Sequence, residues 1–382
     1  MKKRIYYYGV GSLHNNESSV DGGKHIRLPL VESFRNVGFD VCWVGFETTG
    51  WVNNHYLNLL DLDARDFSHD VRDQVENLSD SFMNNDKSTL APTARKHIKQ
   101  NPGVLLVELR PKLDKPGYNF MNEYNVQMEL VYEFLDQNLP VFIWDQDGWC
   151  DMLPDDIKDR VVLLTPYTEV IDSSFPNQEE FLFGWFTPPF HKQLQQLALN
   201  KKFDVGYCGN VYGRRDDFGE YFSQFAKNDK AVCVQGNWLR KKYDDRDFSL
   251  DNFPHFMFFG RTPHWSTLPT IAMSKSVLHF SNPHQQNIGM PTARVFEALM
   301  GESVLFCTSK IKNIDRFVPE ELIVSSGEEL YERWNSIDTN NEWDRVRQAF
   351  VDKLAVFEHT YDYRAQQFVQ YLEKYYGEFY GR

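Results

Sequence analysis

The sequence predicts an α/β protein of two Rossmann-like domains facing each other across a cleft. Three observations carry this. Each half of the chain repeats an order of short apolar strand, glycine turn and amphipathic helix, the pattern of a doubly wound parallel sheet. At 382 residues the chain is long for one core, so two domains are the natural division. Between the halves, residues 166–189 carry Phe181, Phe183, Trp185 and the Pro188-Pro189 pair, and read as a crossing. The first domain is placed at residues 1–188 and the second at 189–359, with a helix over about 360–382 crossing back to the first.

In the first half, an aromatic strand over 4–10 ends in Gly9-Val10-Gly11-Ser12. A polar loop over 13–23 leads to a helix that ends near Asn36, with Pro29 in or near its first turn, and then to a strand over 39–46. Glu47 closes that strand where a dinucleotide fold wants an acid, but the glycine loop is not a full GxGxxG and reads equally as a tight turn. Residues 48–101 are polar and weakly patterned. A buried strand over 104–108 precedes a loop, 110–119, that carries Arg110, Lys112 and Lys115. A helix over 124–137 and a strand over 140–144 follow, and the strand runs into Asp145-Gln146-Asp147-Gly148-Trp149. Acids at the carboxyl end of a parallel strand sit at the crevice where open α/β sheets bind ligands. A further strand covers 161–164.

The second half opens with a strand over 204–208, which enters Gly209-Asn210-Val211-Tyr212-Gly213-Arg214-Arg215 and a helix bearing Phe218, Phe222 and Phe225. Strands over 231–235 and 256–259 close on Gly236-Asn237 and on Gly260-Arg261-Thr262-Pro263. A helix over 268–273, a strand over 276–280 and a polar loop over 281–289 lead to PTARVFEALMGESVLF, residues 291–306. There Val295, Phe296, Leu299 and Met300 make an apolar stripe, Pro291 suits a first turn, and Gly301 stands where a left-handed C-cap is wanted. Arg294 and Glu297 share one face near the amino end, where an anion is favoured; a surface ion pair is the plain alternative. The tail, 343–380, is largely helical and aromatic.

Composition narrows the function. A formal net charge of −13 argues against indiscriminate nucleic-acid binding, though not against a local basic groove. Five scattered cysteines without a CxxC read as free thiols of a reducing compartment, and no apolar run approaches membrane-spanning length. A cytoplasmic monomer is expected, with no membrane partner. His14, His264, His279 and His284 show no paired-ligand spacing and read as packing or polar-loop residues.

Over residues 203–307 the strings DVGYCGNVYGRR, VCVQGNW, FFGRTP and TARVFEALMGESVLF occur in that order. The ordered set resembles the donor-binding domain of GT-B glycosyltransferases, and more narrowly the bacteriophage DNA β-glucosyltransferases that act on hydroxymethylcytosine. The first domain resembles them in layout alone. The resemblance implies a UDP-sugar donor, UDP-glucose or a UDP-arabinose-like sugar, with no cofactor required. It implies that Gly209 and Asn210 start the turn whose backbone approaches the donor phosphates, with Gly236 in the same donor-binding set. Arg214 or Arg215, together with Arg294, would contact the diphosphate, and Glu297 would hold the ribose hydroxyls. Arg261 stands where the family places a lysine beside the nucleotide, and Thr262 would present backbone groups to the base. The loop 283–289 would face the sugar, although the family's aspartate is missing from it, which leaves the sugar open.

For the chemistry, the resemblance implies an aspartate base at the end of a first-domain strand and transfer by inversion. Asp145 and Asp147 both fit; Asp147 is preferred because Asp145 can instead cap the following turn. The two also spell a DxD, so a divalent metal is compatible but not required. The acceptor implied is a hydroxymethylated pyrimidine in DNA, with Gly11, Ser12, Arg110, Lys112 and Lys115 as acceptor-side candidates. Basic sets at Arg95-Lys96-His97 and Arg240-Lys241-Lys242 could assist. Two alternatives stay open: a GT-B enzyme acting on a glycan, lipid-linked sugar or small metabolite, and a non-catalytic sugar-nucleotide-binding protein.

Overall fold

Two parallel sheets organise the chain. The computed structural model describes residues 3–9, 24–45, 75–84, 88–112, 120–166, 174–188, 190–211, 213–239, 250–260, 262, 266–354 and 356–377. The first sheet contains β1 (Arg4–Tyr8), β2 (Asp40–Trp43), β3 (Glu76–Asn77), β4 (Val104–Glu108), β5 (Val141–Trp144), β6 (Val162–Thr165) and β7 (Gln178–Glu180). Their spatial order is β3-β2-β1-β4-β5-β6-β7. The second contains β8 (Phe203–Cys208), β9 (Val232–Gln235), β10 (Met257–Phe258), β11 (Ser274–His279), β12 (Val304–Thr308) and β13 (Ile323–Val324), in the order β10-β9-β8-β11-β12-β13. The pairings within these sheets are parallel, with Ile5 opposite both Val41 and Val104, and Val277 opposite both Gly206 and Leu305. Each sheet reverses its winding once, between β1 and β4 and between β8 and β11. Loops leaving the strands on either side of such a point part in opposite directions and leave a crevice.

The strands are apolar without alternation because both sheet faces are covered. Along β1, Ile5 and Tyr7 pack on one face with Trp43, Leu106 and Trp144, while Tyr6 and Tyr8 pack on the other with Leu105, Val107 and Ile143. The helices Pro92–Gln100 and Phe120–Asp136 cover the second of these faces through Ala94, Ile98, Val126 and Phe134. The helix Lys24–Asn36 covers the first through Leu30 and Phe34, and it shares that task with the last helix, Tyr361–Tyr376.

The last helix returns to the first sheet after the second is complete. Trp185 and Thr360 form a parallel bridge, with Trp185 N donating to His359 O at 2.8 Å and Tyr361 N donating to Trp185 O at 3.1 Å. The outgoing and returning passes therefore run side by side. Thr360 caps the final helix by accepting from Tyr363 N at 3.1 Å. Phe368 then wedges between Phe34 and Phe142, with ring centroids 5.0 and 4.6 Å away, and the Tyr376 hydroxyl donates to Val141 O at 3.1 Å.

Several elements differ from the sequence expectation. The first helix begins at Lys24, so Pro29 lies inside it, where its ring sits in the buried face at the cost of one backbone hydrogen bond. The weakly patterned tract contains the helices Ser79–Phe82 and Pro92–Gln100. The polar loop over 281–289 contains the helix Pro283–Asn287. The helix of the 291–306 motif starts at Arg294, three residues after Pro291, and Gly301 has an ordinary φ of −86°. The left-handed residue is Glu302, at φ 53°. Gly301 is bare for another reason: a Cβ there would lie 2.4 Å from Ile271 Cγ2 in the helix Thr267–Ala272. Among the described residues no helix is long and apolar enough to cross a membrane.

Phe368→Ala should open a cavity among Phe34, Phe39, Phe142 and Phe181 and destabilise the fold by about 3–5 kcal/mol, as read from urea unfolding. A loss below about 1 kcal/mol would mean that the returning helix is not held by this wedge.

Candidate functional site

The carboxyl ends of the two sheets meet across a cavity of about 510 Å³, with the two winding reversals facing each other. From the first sheet come Glu108, Leu109 and Arg110 after β4, Gln146 and Asp147 after β5, and Arg27 from the helix after β1. From the second come Cys208, Gly209 and Asn210 after β8, Arg214 from the next turn, and His279 and Phe280 after β11. Gln285, Thr292, Arg294 and Glu297 complete that wall.

On the second-sheet side, Arg294 forms an ion pair with Glu297 and donates from Nη2 to Cys208 O at 2.8 Å. Arg294 Nη1 and Glu297 Oε2 are the atoms of that ion pair, whereas the buried Arg214 Nε has no hydrogen-bond partner. Arg214 otherwise donates to Asn210 O at 2.9 Å. Glu297 is 3 % exposed, and burial pushes its carboxyl above the usual range, with Arg294 offsetting only part of that rise. For Arg294 the balance reverses: burial pulls it down, but Glu297, Cys208 and Tyr207 together more than offset that and keep it charged. His279 is also buried, with Nε2 3.3 Å from the Thr292 hydroxyl. Burial first, then Arg294 and Arg214, hold its imidazole down at about 3, so it is neutral.

The first-sheet side is built on acids. Asp145 is fully buried, and its two carboxylate oxygens accept from Trp149 N and Cys150 N, each at 2.8 Å. That side chain shapes the loop. Asp147, two residues on, is half-buried at the cavity wall. Glu108 accepts from Arg27 Nε at 3.0 and 2.9 Å and from the Tyr7 hydroxyl at 2.6 Å. Arg110 pairs with Glu123 at 2.8 Å.

Residues 214–370 match the family model described as glycosyl transferase-like. No curated protein sequence matches the chain. Among solved structures, the fold is similar to that of T4 phage BGT in complex with UDP and Mn2+, at TM-score 0.63 and 11% identity, covering 97% of this chain and 99% of that one. Residues 214–370 are thus glycosyl transferase-like, and the whole chain has the two-domain GT-B fold. The same architecture appears in Anabaena HepE in complex with UDP-glucose, at TM-score 0.59 and 13% identity over 97% of this chain and 99% of that chain. It appears again in a glycosyltransferase from Rickettsia africae, at 0.57 and 11% over 97% and 98%.

In this fold the expected residues Asp147, Arg110, Gly209, Asn210, Arg214, Arg294 and Glu297 share the cavity wall. Arg215 does not: it lies on a surface groove with Asp216 and Gly219, because the helix it opens turns it away from Arg214. Thr262 and Lys112 are not on the wall, and Lys112 sits exposed with its ammonium 5.8 Å from the Tyr124 ring. Gly236 also lies off it. Its φ is 141°, and a Cβ there would be 2.0 Å from Gly209 O, so this glycine lets two loops of the second sheet pass at close range. The Gly209 N–H is taken by Gln235 O at 2.9 Å and the Val211 N–H by Asn237 Oδ1 at 2.9 Å, so neither is open to a phosphate. Gly11, Ser12, Lys115 and Arg261 lie outside the described residues.

The sequence reading passed over Arg27 and Glu108, placed the loop of Gln285 facing the sugar without singling that residue out, and read His279 as a packing or polar-loop residue. Glu108 and His279 each end a strand next to a winding reversal, the one signal that would have found them. A metal on the DxD pair does not fit the residues present. Asp145 already accepts two backbone N–H groups, and among the described residues no cluster of three or more His, Cys, Asp or Glu could hold an ion.

The neutral His279 gives a pH test. In the unfolded chain a histidine takes up a proton near its ordinary 6.5, whereas in the fold it does so only near 3. The stability it contributes is therefore full above about pH 6.5 and is lost as pH falls toward 3. His279→Asn should flatten the acid limb of the stability curve by up to about 1.4 kcal/mol per pH unit, measured by urea unfolding at pH 7, 6 and 5. An unchanged slope would show that His279 is not held neutral.

Proposed function

We propose that this protein moves a sugar from a UDP-sugar, UDP-glucose or a UDP-arabinose-like donor, to an acceptor hydroxyl held against the first sheet. The observation that carries the reading is the wall formed by Arg214, Arg294 and Glu297, with the Arg294–Glu297 pair buried at the cavity and the buried Arg214 Nε lacking a hydrogen-bond partner. Buried polar atoms left unsatisfied are costly, and a ligand rich in oxygens supplies what they lack. Two guanidinium forks suit a diphosphate and the carboxylate suits a ribose diol. The T4 phage and Anabaena structures of the same fold hold UDP or UDP-glucose. In this reading residues 189–359 bind the donor, and residues 1–188 with the returning helix bind the acceptor.

Asp147 is the base. It takes the proton from the acceptor hydroxyl as that oxygen bonds to the anomeric carbon and the bond from that carbon to the diphosphate oxygen breaks. Attack opposite the leaving group inverts the anomeric centre. The charge that develops on UDP falls beside Arg214 and Arg294. Asp145, engaged by two backbone N–H groups, supports the loop and does not compete for the proton.

The acceptor supported by likeness to the phage enzyme, described as a DNA-modifying β-glucosyltransferase, is hydroxymethylated cytosine in DNA. One observation favours a second reading, a glycan or small metabolite. On the acceptor side, among the described residues, Arg27 is paired with Glu108, Arg110 with Glu123 and Arg95 with Glu133, so these three arginines already have acids for partners rather than a polyphosphate strand. Incubation with hydroxymethylcytosine DNA or oligosaccharides and a panel of nucleotide sugars, read by mass spectrometry of the products, separates the two. UDP binding without any turnover would leave a sugar-nucleotide-binding protein.

Arg294→Lys, which keeps the charge but loses the fork, and Glu297→Gln should each weaken UDP binding about tenfold by calorimetry. Asp147→Asn should leave UDP affinity intact and lower turnover by about 10²–10⁴. Wild-type affinity in both donor variants would sink the donor site, and full turnover in Asp147→Asn would remove the base.

A further inference from the structure

A short helix of the second half reaches over the cleft and holds the acid of the first. Asn282 caps Pro283–Asn287 by accepting from Gln285 N at 3.0 Å, which carries His284 and Gln285 to the loop after β5. Gln285 Nε2 donates to Asp147 Oδ1 at 3.1 Å, and Gln285 Oε1 accepts from Arg214 Nη2 at 3.4 Å. A guanidinium only donates and a carboxylate only accepts, so the amide between them can sit only one way round. Alongside, His284 Nε2 lies 3.0 Å from the Asp147 carbonyl oxygen, and its ring stacks on Trp149 with centroids 5.3 Å apart and 18° between planes. Gln285 itself is 9 % exposed, so these two partners stand in for water.

We infer that Gln285 is a positioning residue, which fixes the Asp147 carboxylate for proton transfer when the second half is seated on the first and links it to Arg214. This rests on the reading of Asp147 as base and Arg214 as diphosphate ligand. A carboxylate on an irregular loop is otherwise free to rotate, and a base must stay within about 2.6–3.2 Å of the proton it takes. With Oδ1 held by Gln285, Oδ2 is left for the acceptor. Arg214 meets Gln285 at the long end of hydrogen-bond range, so a diphosphate can draw its fork away without dismantling the contact to Asp147.

The test uses the full chain with the donor and acceptor that the panel identifies. Gln285→Leu keeps the bulk and removes both hydrogen bonds; Gln285→Glu keeps the acceptor for Arg214 but turns a second carboxylate on Asp147. Gln285→Leu should leave UDP affinity and donor KM within about threefold of wild type and lower kcat about ten- to hundredfold. Gln285→Glu should fall further. In the Asp147→Asn background Gln285→Leu should change the residual rate by less than about twofold, since the group it positions is gone. A wild-type kcat in Gln285→Leu, or a loss repeated in full in the Asp147→Asn background, overturns the inference while the function stands. Wild-type protein that binds no UDP, or turns over no donor in the panel, overturns the functional reading and this inference with it.

Discussion

Burying Arg294 and Glu297 together is the constraint on which the cleft depends. Desolvating two charges costs several kcal/mol per ion, and their mutual attraction seldom returns more than that. The pair is therefore no source of stability, and neighbouring packing must hold it in place. The same seven-residue helix buries Val295, Phe296 and Met300 on its other side, at about 1.5–3 kcal/mol each, enough to offset the charges. The close approach allowed by Gly301 sets the depth of the helix against Ile271, and the bond from Arg294 to Cys208 O fixes its angle to β8. Charges held at that cost on a cavity wall are what a preorganised ligand site requires.

The same logic reconciles an acidic protein with an anionic ligand. The net charge of −13 belongs to the chain as a whole, while three of the arginines at the cleft have an acid beside them, Glu108 for Arg27, Glu123 for Arg110 and Glu297 for Arg294, and Arg214 has none among the described residues. Acids more than a Debye length away, about 8 Å in physiological salt, are largely screened. The paired arginines have their donors fixed, and recognition by them depends on hydrogen-bond geometry more than on field.

Much of the architecture was legible because parallel strands buried on both faces leave short unbroken apolar runs, and the turns between them need glycine. The two-sheet plan follows from that pattern, whereas the grouping of Arg214 or Arg215 with Arg294 and Glu297 came from the resemblance to the glycosyltransferases. The helix Pro92–Gln100 escaped because its buried stripe is only Ala94 and Ile98. Arg27 and Glu108 escaped because they stand 81 positions apart and no local spacing joins them. Gln285 was hidden in a polar loop whose Asn282-Pro283 start, a cap followed by proline, announced a helix too short to show periodicity. The glycines misled in a different way. Their type was right for a tight approach, but at Gly236 the approaching group is the chain's own Gly209 carbonyl.

The return of the last helix has a consequence for biogenesis. The first sheet's inner face, with Phe34 and Phe142, is completed by Phe368, which leaves the ribosome about 180 residues after the outgoing pass at Trp185. At ~5–20 residues per second, that face waits on the order of ten seconds or more for its cover. During synthesis the amino-terminal half is therefore a sheet with one sticky side, and the carboxy-terminal sixteen-residue helix closes it last.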